Sequence, residues 1–454
     1  MINREKLLET RQESDAFGVL EVPNDALYGI QTSRSIQNLS FSGRMLKQYP
    51  GYIKSLATVK KAAALANCEA GVIDHSIADA IIHACDELLM GKDHEHFLID
   101  VLHGGGGIAT NMNVNEVIAN RANEWLKSVV GSNYPVHPTD HVNASQSTSD
   151  VCHTAMRLAI IQYYSMLEIV LIELENTMSA KAQQFMDVPT ISRTCMQDGM
   201  RIQLGETFGG YAAVVKRRHE SLRQAILDIS SINLGGTVIG SGVGAPLHYR
   251  QIVVEKLCEI SGVALHKREN LFDAAQNLDD LGNISKQLSL LASSLIKIAK
   301  DLRLLASGPE AGLSEIYLPE VQAGSSFFPG KINPVIPETL IQSCFQVLGC
   351  DRVVQAALEH GELDLNIYEG AAGINILDAM MMLEKSLSLF TAKCFSGIEA
   401  NVERCEVLAN GFIPIVVELK EKYGYSSVSK WVKEKSKEEI KAIYKNGGAY
   451  IDES

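Results

Sequence analysis

The sequence predicts an all-α protein organised as a bundle of long helices. Residues 151–185 contain neither Gly nor Pro, and residues 277–306 carry apolar side chains at every third or fourth position, the spacing of one buried helix face. Helical patterns of similar length cover residues 208–230, 338–360 and 371–400. Five long helical segments without strand patterns between them favour an up-and-down bundle.

The helix predicted from residue 151 is apolar on nearly every side. Residues 158–174 are interrupted by Gln162, Glu168 and Glu173. They offer no clean apolar run of roughly 18 residues, which argues against a membrane span. A helix that is apolar all round belongs in the middle of a large bundle, where neighbouring helices cover its outer faces.

Length and composition predict a protein of several domains. A chain of 454 residues exceeds what one hydrophobic core usually serves. We assign residues 1–138 to a mostly helical N-terminal domain, 139–396 to the central long-helix bundle and 397–454 to a small helical C-terminal domain. Residues 51–90 carry a helical pattern, whereas residues 11–40 are predicted to form a short extended piece and turns.

Charge and cysteine content limit the class of function. The formal net charge of −13 argues against a nucleic-acid-binding surface. Nine Cys are scattered without CxxC pairs, and residues 1–6 have no apolar signal core, so we expect reduced thiols in the cytoplasm. The sequence has no HExxH motif, no Cys/His ligand set and no strand–GxGxxG–helix unit, so neither a metal nor a nucleotide cofactor is indicated.

Residues 323–334 form the most informative loop of the sequence. They contain two Gly and two Pro, which no regular helix or strand accommodates at this spacing. Successive backbone N–H groups, together with Ser325 and Ser326, can surround an anion, and Lys331 adds a positive charge. The alternative is an ordinary Gly/Pro-rich connector.

Other blocks also interrupt the helical patterns. Residues 104–107 are four consecutive Gly, which permit positive φ angles and close approach of the backbone to a ligand, and a helix opens just after them. Residues 145–150, after a turn at Pro138, offer Ser and Thr hydroxyls. The alternatives are a flexible hinge for the first block and a helix N-cap cluster for the second. Residues 191–198 and 234–242 are predicted to be loops, the second of them a structural turn.

Together these blocks resemble the aspartase/fumarase superfamily. Residues 324–334 are similar to its signature Gly-Ser-Ser-x-x-Pro-x-Lys-x-Asn-Pro, residues 111–116 match Asn-Met-Asn-x-Asn-Glu, and residues 193–198 are similar to Arg-Thr-x-x-Gln-Asp. The resemblance covers nearly the whole chain. It implies a three-domain all-α chain, a homotetramer with a core of twenty helices, and a cofactor-free lyase that releases fumarate from a succinyl skeleton.

The resemblance also implies roles for individual residues. Ser325 corresponds to the general base that removes a proton from Cβ, and Lys331 stabilises charge beside it. The substrate carboxylate that becomes an enediolate would be held by Ser147, Thr148 and Ser326. The other carboxylate would be held by Thr194, Lys331 and Asn333. Each active site would combine residues from three subunits of the tetramer.

Several positions depart from the aspartases, which the chain otherwise resembles best. It has Ile108 where aspartases have Thr, Ser149 where they have Asn, and Cys195 where they have His or Gln. Phe327 and Phe328 replace Ile-Met in the signature loop. These changes remove or shorten polar contacts to an ammonium group. We therefore expect weak ammonia release from L-aspartate and better turnover of a succinate with a bulkier 2-substituent, such as an N- or S-succinylated amino acid.

Three alternatives stay open at this point. The chain can be an aspartate ammonia-lyase proper, a fumarate hydratase, or a non-catalytic homologue of the kind that serves as a lens crystallin. The intact set of Ser325, Lys331 and Asn333 weighs against the last of these.

Overall fold

The computed structural model describes residues 9–447 and confirms the all-α class. The interpretation of residues 1–6 lies outside the described residues. The α-helices, in chain order, are α1 (Ile30–Leu39), α2 (Pro50–Glu69), α3 (His75–Leu89), α4 (Ile108–Trp125), α5 (Thr148–Gln184), α6 (Leu204–Asp228), α7 (Leu247–Ser261), α8 (Leu271–Gln276), α9 (Asp279–Leu305), α10 (Val335–Glu359), α11 (Glu369–Lys393), α12 (Val402–Ala409), α13 (Phe412–Tyr423), α14 (Tyr425–Glu434) and α15 (Lys437–Lys445).

All five long helices predicted from the sequence are present as α5, α6, α9, α10 and α11. The 37 residues of α5 form one helix of about 55 Å at the usual rise per residue. By length and composition α5 would pass as a membrane span, yet 56% of its most apolar window is buried inside the protein. This burial is the property of a core helix. Helix α11 ends at Lys393, before the predicted residue 400, because a short 3₁₀ turn follows at Phe395–Gly397.

Short strands also occur, and only the extended piece within residues 11–40 was predicted from the sequence. The strands are β1 (Thr10–Asp15), β2 (Gly18–Pro23), β3 (Pro189–Thr194), β4 (Gln197–Gln203), β5 (Ser231–Ile232), β6 (His266–Lys267), β7 (Ile316–Tyr317) and β8 (Glu399–Ala400). They pair as β1–β2, β3–β4, β5–β6 and β7–β8, and only β5–β6 is parallel. The loop prediction for residues 191–198 was therefore wrong, because this segment is most of a β-hairpin.

Helix α1 was also missed, because its N-terminus is held by a residue far along the chain. The carboxylate of Glu116 accepts hydrogen bonds from the backbone N–H groups of Gly29, Gln31 and Thr32 at 2.8–3.0 Å and from the Thr32 hydroxyl at 2.6 Å. The local N-cap position, Gly29, has no side chain to do this. The extended piece predicted for residues 11–40 is confirmed as the β1–β2 hairpin.

The chain forms two compact units. The first comprises the chain up to Leu167, Ser221–Ser289 and Gln346–Met381, and the second comprises Glu168–Glu220, Leu290–Phe345 and the chain from Met382 onward. In the second unit, helices α13 to α15 enclose a small apolar cluster around Leu419, Val428 and Ile440. The division into domains at residues 138 and 396 stays a prediction.

Candidate active site

The residues expected to contact substrate fall in both units. The first unit contains Ile108, Ser147, Thr148 and Ser149. The second unit contains Thr194, Cys195, Ser325, Ser326, Phe328, Lys331 and Asn333.

In the first unit, the four glycines create a tight backbone path into α4. Gly105, Gly106 and Gly107 have φ angles of +83°, +63° and +96°, a region that side-chain-bearing residues rarely adopt. A Cβ atom on Gly107 would lie 3.3 Å from Thr148 Cγ2 and 3.3 Å from Cys152 Sγ. The glycine loop therefore packs against the start of α5, and Ile108, 46% exposed, begins α4 beside it.

The Thr148 hydroxyl has a defined direction. Its Oγ1 accepts a hydrogen bond from Asn111 Nδ2 at 3.2 Å, and the same amide donates to Asn143 Oδ1 at 2.9 Å. Because a lone pair of Thr148 is used in this way, its proton can be donated to an anion. Asn111 was recognised in the sequence only as part of a family block, without this role.

Asp150 fixes the backbone of the Ser/Thr block. It is fully buried, and its carboxylate accepts N–H groups of Ser147 at 2.8 Å and of Gly235 and Thr237 at 3.1 Å. Burial raises the pKa of Asp150 to about 7, and these backbone hydrogen bonds oppose the shift. The glycine-containing turn at residues 234–242 is thus joined to the Ser/Thr block through Asp150.

Ser149 is directed away from its expected role. Its Oγ lies 2.9 Å from the carbonyl oxygen of Thr237 and 2.6 Å from that of Val238, and the residue is only 3% exposed. The hydroxyl proton is thereby occupied, since a hydroxyl has one proton to donate. Ser147 Oγ lies 3.5 Å from Ser149 Oγ. A contact of Ser149 with substrate stays a prediction. In such a contact the Ser149 oxygen would accept a hydrogen bond through a lone pair.

A cavity of about 180 Å³ lies behind the glycine loop, lined by Gly104–Gly107, Tyr52, Cys152 and Glu369 among others. Sequence reasoning did not find it, because its walls come from segments far apart in the chain. Glu369 is 3% exposed, and the nearest cationic atom, Arg157 Nη1, is 3.6 Å from Oε1. Burial raises the pKa of Glu369 to about 8.

In the second unit, residues 324–333 form the predicted loop. Hydrogen bonds between its two ends close it into a ring. The Gly324 N–H donates to the Lys331 carbonyl at 2.8 Å, and Asn333 Nδ2 donates to the Gly324 carbonyl at 2.7 Å. A Cβ on Gly324 would lie 2.6 Å from the Asn333 backbone nitrogen, so only glycine fits. The Asn333 side chain keeps one N–H available for a substrate carboxylate.

Ser325 is held by the loop that contains it. Its Oγ accepts the N–H groups of Phe327 at 3.0 Å and Phe328 at 2.9 Å. Lys331 Nζ lies 5.5 Å from the centroid of the Phe328 ring. The rings of Phe327 and Phe328, 81% and 56% exposed, pack edge to face. Ser326, which follows the base position directly, is exposed.

Thr194 and Cys195 lie at the tip of the β3–β4 hairpin, and both are exposed. Cys195 and Met196 have φ angles of +54° and +59°, which for non-glycine residues cost roughly 1–3 kcal/mol each. Strand β3 is anchored by the buried Glu315, which lies 2.6 Å from Arg193 Nη1 and 2.5 Å from Thr190 Oγ1. Within residues 9–447 the structure records no hydrogen bond from this tip to the Ser325 loop.

One cluster of described side chains has the geometry of metal ligands. Ligand atoms of Asp93, Glu95 and His96 lie within 4.8 Å of one another. Arg121 Nε lies 3.5 Å from Asp93 Oδ2, so a cation bound there would meet an existing positive charge. The cluster includes none of the residues expected to contact substrate.

The chain is similar to known lyases in sequence and in fold. A family described as "Lyase" matches residues 18–349. The aspartate ammonia-lyase of Helicobacter pylori is 41% identical over 434 residues, which cover 96% of this chain and 92% of that protein. Among solved structures, fumarate lyase:delta crystallin from Brucella melitensis, bound to cobalt, is 41% identical, covers 96% of both chains and has a TM-score of 0.93.

A more distant enzyme has the same fold. The class II fumarase of Schistosoma mansoni is 30% identical, covers 98% of this chain and 97% of its own, and also has a TM-score of 0.93. The family match extends over most of the chain and includes the glycine loop, the Ser/Thr block, the β3–β4 hairpin and the Ser325 loop. On this evidence the chain belongs to the lyase family of the aspartase/fumarase superfamily.

Proposed function

We propose that this chain is a lyase that forms fumarate by β-elimination from an aspartate-like, 2-substituted succinate. The observation that carries the proposal is the pair of backbone N–H groups, from Phe327 and Phe328, that donate to Ser325 Oγ. The similarity to aspartate ammonia-lyases supports the same reaction type.

Ser325 acts as the general base in this proposal. A serine hydroxyl is weakly acidic, so its alkoxide forms only where donors stabilise the negative charge. The two N–H groups supply that stabilisation before the reaction begins, and Lys331 supplies positive charge from the same loop. Once the Ser325 hydroxyl has lost its proton to solvent, the alkoxide removes the proton at Cβ, and the electron pair of the C–H bond moves into the neighbouring carboxylate as an enediolate.

The substrate carboxylates are held by hydroxyl, amide and ammonium donors. Ser147, Thr148 and Ser326 bind the carboxylate that becomes the enediolate, where strong donors give most of the rate enhancement. Thr194, Lys331 and Asn333 bind the other carboxylate. The bond from Cα to the leaving group then breaks, and fumarate remains.

The leaving group in this proposal is bulkier and less polar than ammonia. Ile108 offers no hydrogen-bond acceptor, Cys195 is a weak one, and the short Ser149 side chain is buried and turned towards backbone carbonyls. Phe328 adds an exposed aromatic surface to the Ser325 loop. A secondary amine or thioether loses less solvation there than a primary ammonium does. We propose an N- or S-succinylated amino acid as substrate.

Assembly and location complete the proposal. We propose a homotetramer in the cytoplasm, with each active site formed by three subunits. The division of the candidate residues between two units, with Thr194 at an exposed hairpin tip, fits a site completed by neighbouring copies.

A second candidate function is aspartate ammonia-lyase proper. It is favoured by the similarity to aspartate ammonia-lyases such as the Helicobacter pylori enzyme, which is 41% identical over most of the chain. The two functions share the base and the carboxylate contacts. They differ only in the group that leaves Cα.

A substrate screen followed by fumarate absorbance tests the proposal. We expect a higher kcat/KM for an N- or S-succinylated amino acid than for L-aspartate on the same preparation. If L-aspartate exceeds all of them and reaches roughly 10⁴ M⁻¹s⁻¹, an ordinary enzyme value, the protein is an aspartate ammonia-lyase. A preparation that forms no fumarate from any of these compounds would contradict both functions.

A further inference from the structure

A lysine lies in the interior of the first unit, behind the Ser/Thr block. Lys60, on α2, has no solvent-exposed surface, and its Nζ donates to Asn143 Oδ1 at 2.9 Å. Lysine is almost never fully buried unless it is paired, because desolvation of its charge is costly. Burial lowers the pKa of Lys60 to about 7, and the buried Asp150 carboxylate opposes the shift. Because its burial is costly, we expect a lysine in this position to have a specific role.

Asn143 Oδ1 is the meeting point of three donors. Besides Lys60 Nζ, it accepts Asn111 Nδ2 at 2.9 Å and Asn115 Nδ2 at 3.2 Å. The Asn143 amide nitrogen donates in the opposite direction, to the Gln146 carbonyl at 3.2 Å. An ammonium group can only donate, so it requires the oxygen of Asn143, and not the nitrogen, on its side.

This orientation determines that of the next amide. Because Asn143 presents an oxygen, Asn111 must present its nitrogen, since two facing amide oxygens would repel. The same Asn111 nitrogen donates to Thr148 Oγ1 at 3.2 Å. Every hydrogen bond from Lys60 to Thr148 is therefore assigned a donor and an acceptor. This series of hydrogen bonds leaves the Thr148 proton directed away from Asn111.

We propose that Lys60 is a positioning residue that sets which groups donate and which accept in these hydrogen bonds, so that Thr148 donates its proton to the substrate carboxylate. The inference rests on the proposed function of Thr148 as a carboxylate ligand. Without the Lys60 ammonium, only the longer bonds from Asn115 and to the Gln146 carbonyl, both 3.2 Å, hold the orientation of Asn143, and Asn143 and Asn111 can turn over together. Asn111 then presents its oxygen to Thr148, and the hydroxyl donates to that oxygen and not to substrate.

The first test replaces Lys60 by a neutral side chain of similar length. With the substrate that the wild-type enzyme turns over best, we expect Lys60→Met to lower kcat/KM by about 10- to 100-fold, the effect of losing one hydrogen bond to a charged group. The matched control is Lys61→Met on the same helix, where Lys61 Nζ pairs with Asp86 Oδ1 at 2.5 Å. We expect the control to change kcat/KM by less than about twofold.

A double-mutant cycle separates positioning from general damage to the fold. If Lys60 acts through Thr148, then Lys60→Met in a Thr148→Val background should lower kcat/KM by less than about threefold further. Effects of Lys60→Met and Thr148→Val that simply multiply would overturn the proposal, because they would show that the two residues act independently.

A second variant keeps the proposal testable if Lys60→Met does not fold. Asn111→Asp places an ionised, acceptor-only group against Thr148, so the Thr148 proton is drawn inward and a similar loss is expected. Wild-type kcat/KM in a folded Asn111→Asp or Lys60→Met enzyme would refute the positioning role while the wild-type activity stands. Absence of fumarate formation by the wild type itself would instead contradict the proposed function.

Discussion

A serine can remove a proton from carbon only as its alkoxide, and single residues of the loop decide whether that alkoxide is stabilised. Ser325 Oγ receives two backbone N–H groups because the loop closes through Gly324 and Asn333. Any side chain at Gly324 would collide with the backbone on the other side of the ring. The chemistry proposed for Ser325 therefore depends on a residue that never touches the substrate.

The base assignment is tested by Ser325→Ala. We expect the variant to fold and assemble as the wild type does, since only a hydroxyl is removed from a partly exposed position, and to lose about 100- to 10,000-fold in kcat. Steady-state rates of fumarate formation, with sedimentation to verify assembly, provide the measurement. Retention of more than about a tenth of the wild-type kcat would remove Ser325 from the mechanism.

The leaving-group assignment is tested by Ile108→Thr. The change places a hydroxyl at the first position of α4, where aspartases have Thr, and adds one acceptor for an ammonium group. We expect kcat/KM for L-aspartate to rise about 3- to 10-fold relative to the succinylated substrate. Ile108→Val, which stays apolar, is the control. An unchanged ratio in Ile108→Thr would show that this position does not contact the leaving group.

At the level of helices and strands, buried carboxylates join elements that are distant in the sequence. Glu116 on α4 caps α1, and Asp150 joins the start of α5 to the turn at residues 234–242. Glu87 on α3 pairs with Arg121 on α4 and also lies 2.9 Å from Lys92 Nζ. Each of these carboxylates satisfies several donors at once, so its loss leaves buried polar groups without partners.

The pairing of α3 with α4 gives a prediction for the dependence of stability on pH. The hydrogen bond from Arg121 lowers the pKa of Glu87 from 4.5 to about 2, so the ionised form is favoured in the folded protein. Its contribution is full above the unfolded pKa and is lost as the pH falls through the folded one. We expect Glu87→Gln to lower the free energy of unfolding by about 1–3 kcal/mol at neutral pH.

Urea unfolding at a series of pH values tests this. The deficit of Glu87→Gln should shrink as the pH falls from 4.5 towards 2. Glu124→Gln is a suitable control, because Glu124 also pairs with Arg121 but is 40% exposed and should matter less. A deficit that stays constant or grows under acid conditions would show that the charge of Glu87 is not its cause.

At the level of the complete protein, the long helices carry apolar side chains that remain exposed among the described residues 9–447. On α5, Met166, Ile169 and Ile172 follow one another at about one-turn intervals and are 51%, 68% and 46% exposed. Large apolar residues are also exposed on α10 and α11, among them Phe345 and Leu389. Apolar patches of this kind mark interfaces with other protein chains.

We therefore predict a tetramer of about 200 kDa, four times the 49.5 kDa of the chain, with no stable folded monomer. Sedimentation equilibrium measures the mass. Ile169→Glu places a charge on the exposed stripe of α5 and should reduce both the mass and the activity, because the proposed active site combines residues of several subunits. An active, monodisperse monomer would contradict the assembly and the shared site together.

The long helices, the glycine loop and the Ser325 loop were predictable because their signals are local. Apolar spacing identifies a helix within a few turns, and closely spaced Gly and Pro exclude one, whatever the rest of the chain does. The family resemblance added the candidate roles of Ser325, Thr148 and Lys331. None of these required knowledge of contacts between distant segments.

Other features depend on partners far along the chain, and the sequence contains no local sign of them. Glu116 and Gly29 are 87 residues apart, Lys60 and Asn143 are 83 apart, and Ser149 and Thr237 are 88 apart. Helix α1, the buried lysine with its amide chain, and the inward hydroxyl of Ser149 follow from these contacts. They exist only once folding has brought the partners to hydrogen-bonding distance, because burial then requires every polar group to find one.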